Sequence, residues 1–150
     1  MSPKVYYFDL GNQFILMDYI KGITFFDYKN LFKKGLVKKD KFLAYLKNII
    51  KACYTLDSLN LFHGELIKGK HIYLHKGKIR FIDFESAKFT KVSKNLSQFI
   101  GGNILNDEQL IKLLNLKKDD ILLFLREYKK IDNLNSFFRD KMSFTFRSGL

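Results

Sequence analysis

The sequence predicts an α+β fold, mostly α, and three observations carry that prediction. Between Lys38 and Asn60, apolar residues recur at three- and four-residue steps (Phe42, Leu46, Ile49, Ile50, Cys53, Leu56, Leu59), the stripe of one long amphipathic helix. After Lys94 three further segments carry helical spacing: "SKNLSQFIGGNIL", "NDEQLIKLLNL" and "KKDDILLFLREYKKI". Short β-rich runs occur in two pairs, each separated by turn residues, which predicts two small β-hairpins. A chain of 150 residues suffices for one core and is short for two, so a single domain over 1–150 is expected.

The elements follow in order. Val5–Phe8 and Phe14–Met17 flank "DLGNQ", whose Gly11 and Asn12 suit a turn, and form the first hairpin. A short helix through "TFFDYKNLFKKG" ends at Gly35. The long helix follows, with Asp40 as its expected N-cap. "HIYL" and "KIRFIDF" form the second hairpin around "HKGK", where Gly77 supplies the turn. Gly101-Gly102 marks a break among the later helices, and Asn106 with Gln109 three residues on resembles a capping box. The tail "FFRDKMSFTFRSGL" frays or docks. There is no internal repeat or low-complexity segment, and the one proline is Pro3.

Charge is the strongest compositional signal. The chain has 27 Lys+Arg against 15 Asp+Glu, a net +12, so its surface attracts polyanions. Non-specific nucleic-acid affinity at low salt is therefore expected. "NDEQLIKLLNLKKDDILLFLREYKK" has the layout of a helix-turn-helix, but its second helix opens on "KKDD", a poor start for base reading. The lone Cys53 allows no intramolecular disulfide and no thiolate-rich zinc site, and fits a reducing cytoplasm. No apolar run approaches 18 residues and "MSPKVYYFDLGNQ" does not resemble a signal peptide, so no membrane association is expected.

The stretch from Leu61 to Ala87 concentrates the chemistry. Glu65 follows "HG" directly after the long helix, and Asp83 follows the apolar run "IRFI". Phosphoryl transfer needs one carboxylate to orient the attacking hydroxyl and another to hold magnesium on the phosphates, and two loops at one end of a small hairpin deliver such a pair. An unpaired carboxylate beside apolar residues is costly, which makes Asp83 the stronger candidate.

"LFHGEL", "HIYL" and "IDFESA" resemble, in this order, the catalytic and metal-binding loops of the protein-kinase-like superfamily. The variant with "HG" and no long activation segment is similar to the atypical RIO-like kinases, in particular to archaeal serine/threonine kinases of that group. The resemblance implies a kinase-like C-terminal lobe over 23–150, with 1–22 a remnant small-lobe hairpin and hinge. It places His63 and Glu65 in the catalytic loop, Glu65 at the position of the catalytic carboxylate. Asp83 stands where magnesium is bound, Phe84 is its packing neighbour, and His71 lies near the position of a second magnesium ligand, one inserted residue away. "QFILMDYIKG" resembles the last small-lobe strand and hinge, so main-chain groups of Met17, Asp18 and Tyr19 would meet an adenine ring. ATP and Mg2+ are the implied cofactors, and transfer of the terminal phosphate to a serine or threonine hydroxyl is the implied reaction.

The departures are specific. Glu65 in place of Asp moves the carboxylate out by about 1.5 Å, and misplacement near 1 Å costs roughly a hundredfold in rate. Imidazole is a poor magnesium ligand. Glu85 stands in place of the usual Gly. The residues before Val5 leave no room for a glycine-rich loop, a phosphate-binding Lys or the helix carrying its Glu partner. Either a partner chain or second copy, or the missing upstream part of a split gene, supplies the small lobe, or the scaffold is a pseudokinase. A basic nucleic-acid- or ribosome-associated interaction module is the alternative from a different class.

Overall fold

Twenty residues of uninterrupted apolar periodicity build the axis of the molecule. In the computed structural model, which describes residues 2–90 and 94–130, they form one helix, Lys39–Ser58. The element order is β1 (Val5–Asp9), β2 (Phe14–Met17), β3 (Ile23–Thr24), α1 (Phe25–Lys33), α2 (Lys39–Ser58), β4 (Leu61–Phe62), β5 (Ile72–His75), β6 (Lys78–Phe81), β7 (Lys88–Phe89) and α3 (Asn95–Ile100). A π-helical turn (Gly101–Leu105), α4 (Glu108–Leu114) and α5 (Lys118–Tyr128) complete it. The fold is thus α+β with small sheets.

The core is continuous from α1 to α5. Phe25, Phe42, Leu46, Ile49, Ile50 and Cys53 meet Ile72 and Phe81 from the sheet, and Leu96, Phe99, Leu110 and Leu114 from the later helices. Phe32 stacks on Phe42 at 4.1 Å between ring centroids, fixing α1 on α2. Among the described residues the core begins at Ile23, and the β1–β2 hairpin adds nothing to it. From Val5 to Met17 all the large apolar side chains of that hairpin are about half exposed or more.

Several local expectations need correction. Asp40 lies inside the first turn of α2; the N-cap position is Lys38, which makes no side-chain cap. Leu59 falls at the C-cap and is exposed, off the buried stripe. α4 is capped by Asp107, whose Oδ1 accepts the Leu110 N–H at 3.1 Å, so the Asn106/Gln109 capping box does not form. In the first turn the left-handed residue is Gln13, not Gly11. Gly101-Gly102 does not break the chain: α3 runs into the π-turn, and at Gly102 a Cβ would stand 2.6 Å from the Ile67 carbonyl oxygen. Gly102 allows that close approach; a Cβ at Gly101 would meet nothing within 4 Å. The tail beyond Lys130 lies outside the described residues.

Two strand pairs escape pattern reading because they are two residues long. β3 adds to β5, making the second hairpin a three-stranded sheet in the order β3-β5-β6. β4 pairs with β7 antiparallel, Leu61 opposite Phe89 and Phe62 opposite Lys88, and the Thr90 N–H donates to the Asn60 carbonyl at 2.8 Å. This pairing closes 61–89 into a loop tied at both ends.

Candidate functional site

Inside that closed loop stand His63, Glu65, His71 and Asp83. The β5–β6 register, Ile72 opposite Phe81, continues one step beyond the strands, where the Ile82 N–H donates to the His71 carbonyl at 3.1 Å. His71 and Asp83 are therefore delivered to the same end of the sheet. Nδ1 of His71 lies 3.2 Å from Oδ2 of Asp83. Asp83 sits at φ 64°, a left-handed conformation that is uncommon for residues other than glycine and recurs at functional sites.

The two carboxylate segments are joined through one imidazole. His63 is wholly buried; its Nε2 donates to the Ile82 carbonyl at 2.9 Å and its Nδ1 accepts the Glu65 N–H at 3.3 Å. That is the neutral tautomer with both nitrogens in use. Burial pushes its pKa below the ordinary value. Against that, the Ile82 carbonyl and, more weakly, Asp83 and Glu65 draw it upward, while the nearby His71 adds to the depression. Its ring packs on Phe84 at 4.5 Å between centroids. His63 was assigned to the catalytic loop, but it has no ring nitrogen left for a substrate. Its work is to hold the backbone of Glu65 against that of Ile82-Asp83.

Gly64 makes this approach sterically feasible. It adopts φ +92°, and a Cβ there would lie 2.9 Å from Ser86 Cβ and 3.1 Å from the Ser86 carbonyl oxygen. Ser86 Oγ in turn donates to Glu65 Oε1 at 3.2 Å, holding an exposed carboxylate beside the segment that carries Asp83. Gly64, Glu65, Ile67, Lys68, Lys70 and His71 line a cavity of about 300 Å³. Its size is at the small end for ligand pockets, ~300–1,000 Å³. Lys68 and Lys70 in this lining escaped sequence reasoning, because two lysines in a chain of net +12 carry no signal until the fold aims them.

α3 grips the loop from behind. Asn95 Oδ1 accepts the His63 N–H at 2.8 Å, while its Nδ2 donates to Asp57 Oδ1 and to the Leu61 carbonyl, both at 2.7 Å. One turn on, Gln98 donates to the Gly64 carbonyl at 2.8 Å and accepts the Leu66 N–H at 3.2 Å, bracketing Glu65. Asp57 also accepts from the Asn95 and Leu96 main-chain N–H groups and from the Tyr128 hydroxyl at 2.7 Å. Burial, then Asp57, drives the Tyr128 pKa far upward, so its proton stays on that bond.

The hinge residues fare differently. The Asp18 N–H donates to the Lys4 carbonyl at 2.9 Å, and its carboxylate accepts the Tyr6 hydroxyl at 2.6 Å and the Lys4 N–H at 3.2 Å. Asp18 is thus committed within the hairpin, and its N–H is not offered to a ring. Met17 closes β2 opposite Val5, and the Tyr19 side chain is exposed.

Asp83 and His71 form a pair and not a cage: among the described residues no three His, Cys, Asp or Glu side chains converge to hold a metal ion. One carboxylate suits a hydrated magnesium that is shared with phosphate oxygens, which is how that ion is usually held. Among the described residues no helix is long and apolar enough to cross a membrane.

Fold and site together define a basic α+β protein with a buried-histidine loop carrying two carboxylates. No family model matches the chain. It is 32% identical over 96 residues to a protein of the archaeon Methanocaldococcus jannaschii named "Uncharacterized protein MJ1211", a match covering 61% of this chain and 81% of the relative. The chain belongs to the family of that protein.

Proposed function

We propose that the chain is the large lobe of a kinase-like phosphotransferase, acting on a hydroxyl with ATP as donor, and that its exposed β1–β2 hairpin packs against a partner chain or a second copy. The observation that carries this reading is the single imidazole of His63 joining the Glu65 N–H to the Ile82 carbonyl, one residue before Asp83; Glu65 and His71 line the small cavity, and Asp83 pairs with that His71. Asp83 would hold magnesium, which when bound neutralises charge on the phosphates. Glu65 would orient the acceptor hydroxyl. His71 would stand beside the metal, and Lys68 would meet phosphate charge in the cavity.

The exposure of the β1–β2 hairpin supports that contact. A two-stranded hairpin with both faces in water is marginal on its own, and an apolar surface of this extent marks an interaction site. Transfer by the isolated chain is expected to be slow or absent. Calorimetry with ATP and magnesium, on the wild type and on Asp83→Ala, tests the reading. Saturable binding that the variant loses supports it. Equal binding by Asp83→Ala removes Asp83 from the site, and no binding by the wild type favours a pseudokinase scaffold.

A further inference from the structure

We propose that a second site, the groove between α2 and β6, binds the phosphodiester backbone of a nucleic acid. Its position follows from two periodicities. Asn48, Lys51 and Thr55 fall at i, i+3 and i+7 on one face of α2, and Lys78 and Arg80 fall at i and i+2 on one face of β6. The two rows border an open groove of about 420 Å³, whose lining also includes Ala52, Gly77 and Ile79. Its lining holds three cations and two neutral hydrogen-bonding side chains, and no carboxylate and no aromatic ring. Among the described residues none of the three cations is in a salt bridge; Arg80 only lies within the field of Asp18. The groove shares no residue with the Glu65 cavity and does not depend on the kinase reading.

The chemistry selects a phosphate backbone. Uncompensated cations in an open groove attract anions, and the field of a +12 chain adds long-range pull that favours a polyanion over a small one. Without an aromatic ring the lining offers bases nothing to stack on, so recognition is independent of sequence.

The test is fluorescence anisotropy with labelled 20-nucleotide RNA and DNA of one mixed sequence, titrated at several potassium chloride concentrations. Wild type is compared with the triple variant Lys51→Ala, Lys78→Ala, Arg80→Ala and with the control Lys38→Ala, Lys39→Ala, Lys41→Ala. Both triples have the same net charge, 12 − 3 = +9, and circular dichroism confirms that each is folded. The groove triple is expected to lose at least tenfold in affinity on both RNA and DNA. Its salt dependence should be shallower by about 2 in log–log slope, three lost contacts at ~0.7 each for a single strand. A control triple that loses as much would show diffuse charge attraction and overturn the site. So would absence of wild-type binding, and a loss confined to RNA or to DNA would overturn the backbone assignment.

Discussion

Asn95 and His63, 32 residues apart, are joined by a buried 2.8 Å hydrogen bond from the histidine N–H to the carboxamide oxygen. The amide end of the same side chain donates to Asp57 and Leu61, so one residue ties the C-terminal end of α2, the closed loop and the start of α3 together. Asn95→Ala leaves the buried His63 N–H without its Asn95 acceptor and removes one donor each from Asp57 and from the Leu61 carbonyl. An orphaned buried group costs about 1–3 kcal/mol. Urea unfolding should show a loss of roughly 3 kcal/mol, and a loss below 1 kcal/mol would contradict the network's role.

The neutral state of His63 sets a pH dependence. Its native pKa lies below the unfolded value near 6.5, so the unfolded chain takes up the proton first as pH falls. This part of the stability is fully present above that unfolded pKa and declines below it until the native pKa is reached, at up to about 1.4 kcal/mol per pH unit. Protonation also removes the Nδ1 acceptor of the Glu65 N–H. His63→Gln should be less stable at pH 7.5 and flatter than wild type between pH 6.5 and 5. Parallel profiles for the two proteins would place the titration elsewhere.

Asp107 links α1 to α4. Burial raises the pKa of this carboxylate, but the Lys33 ammonium, the Leu110 N–H and Lys29 outweigh it and hold it below the ordinary value. Lys33 Nζ lies 3.0 Å and Lys29 Nζ 3.3 Å from its Oδ2. Asp107→Asn keeps an N-cap acceptor but removes the charge facing two lysines, a loss of about 1–3 kcal/mol at neutral pH. A carboxylate with a depressed native pKa stabilises the fold above its unfolded pKa, near 3.9, and loses that contribution as pH falls through the native value. The gap between wild type and Asp107→Asn should therefore close in acid, and a gap independent of pH would assign the effect to packing.

The exposed hairpin predicts association. With no partner present, apolar residues of β1 and β2 are expected to bury one another between copies, giving a sedimentation mass above the 17.8 kDa monomer. Phe8→Glu with Leu16→Glu should restore the monomer without lowering the melting temperature of the core. A monomeric wild type at high micromolar concentration would contradict this.

Long periodic elements were legible in the sequence because their signal is repeated. The α2 stripe places Phe42, Leu46, Ile49, Ile50, Cys53 and Leu56 in the core as the spacing predicts, and both hairpins form from the expected β-rich runs. Even so, β6 stops at Phe81, short of the end of "KIRFIDF", and Gln13 takes the left-handed place in the first turn. What escaped is what one or two residues encode. β3, β4 and β7 have two residues each, too few for a period, and α4's cap shifted by one residue from Asn106 to Asp107. In the candidate site, Glu65, His71 and Asp83 could be singled out from local context. Asn95, Gln98 and Asp57 could not, because a polar residue on a helix reads as surface until the loop 32 to 38 residues away is seen to end on it.

If Asp83 and Glu65 face a nucleotide's phosphates as proposed, paramagnetic broadening by Mn2+ with ATP will report it. On a two-dimensional amide spectrum, substoichiometric manganese in place of magnesium should bleach Gly64, Glu65, His71 and the amides from Asp83 to Ser86. The α2 face at Lys51 should keep its signals, and Asp83→Ala should abolish the effect. Bleaching centred on Lys51 and Arg80, or an unchanged pattern in Asp83→Ala, would contradict a phosphate-transfer site on this loop.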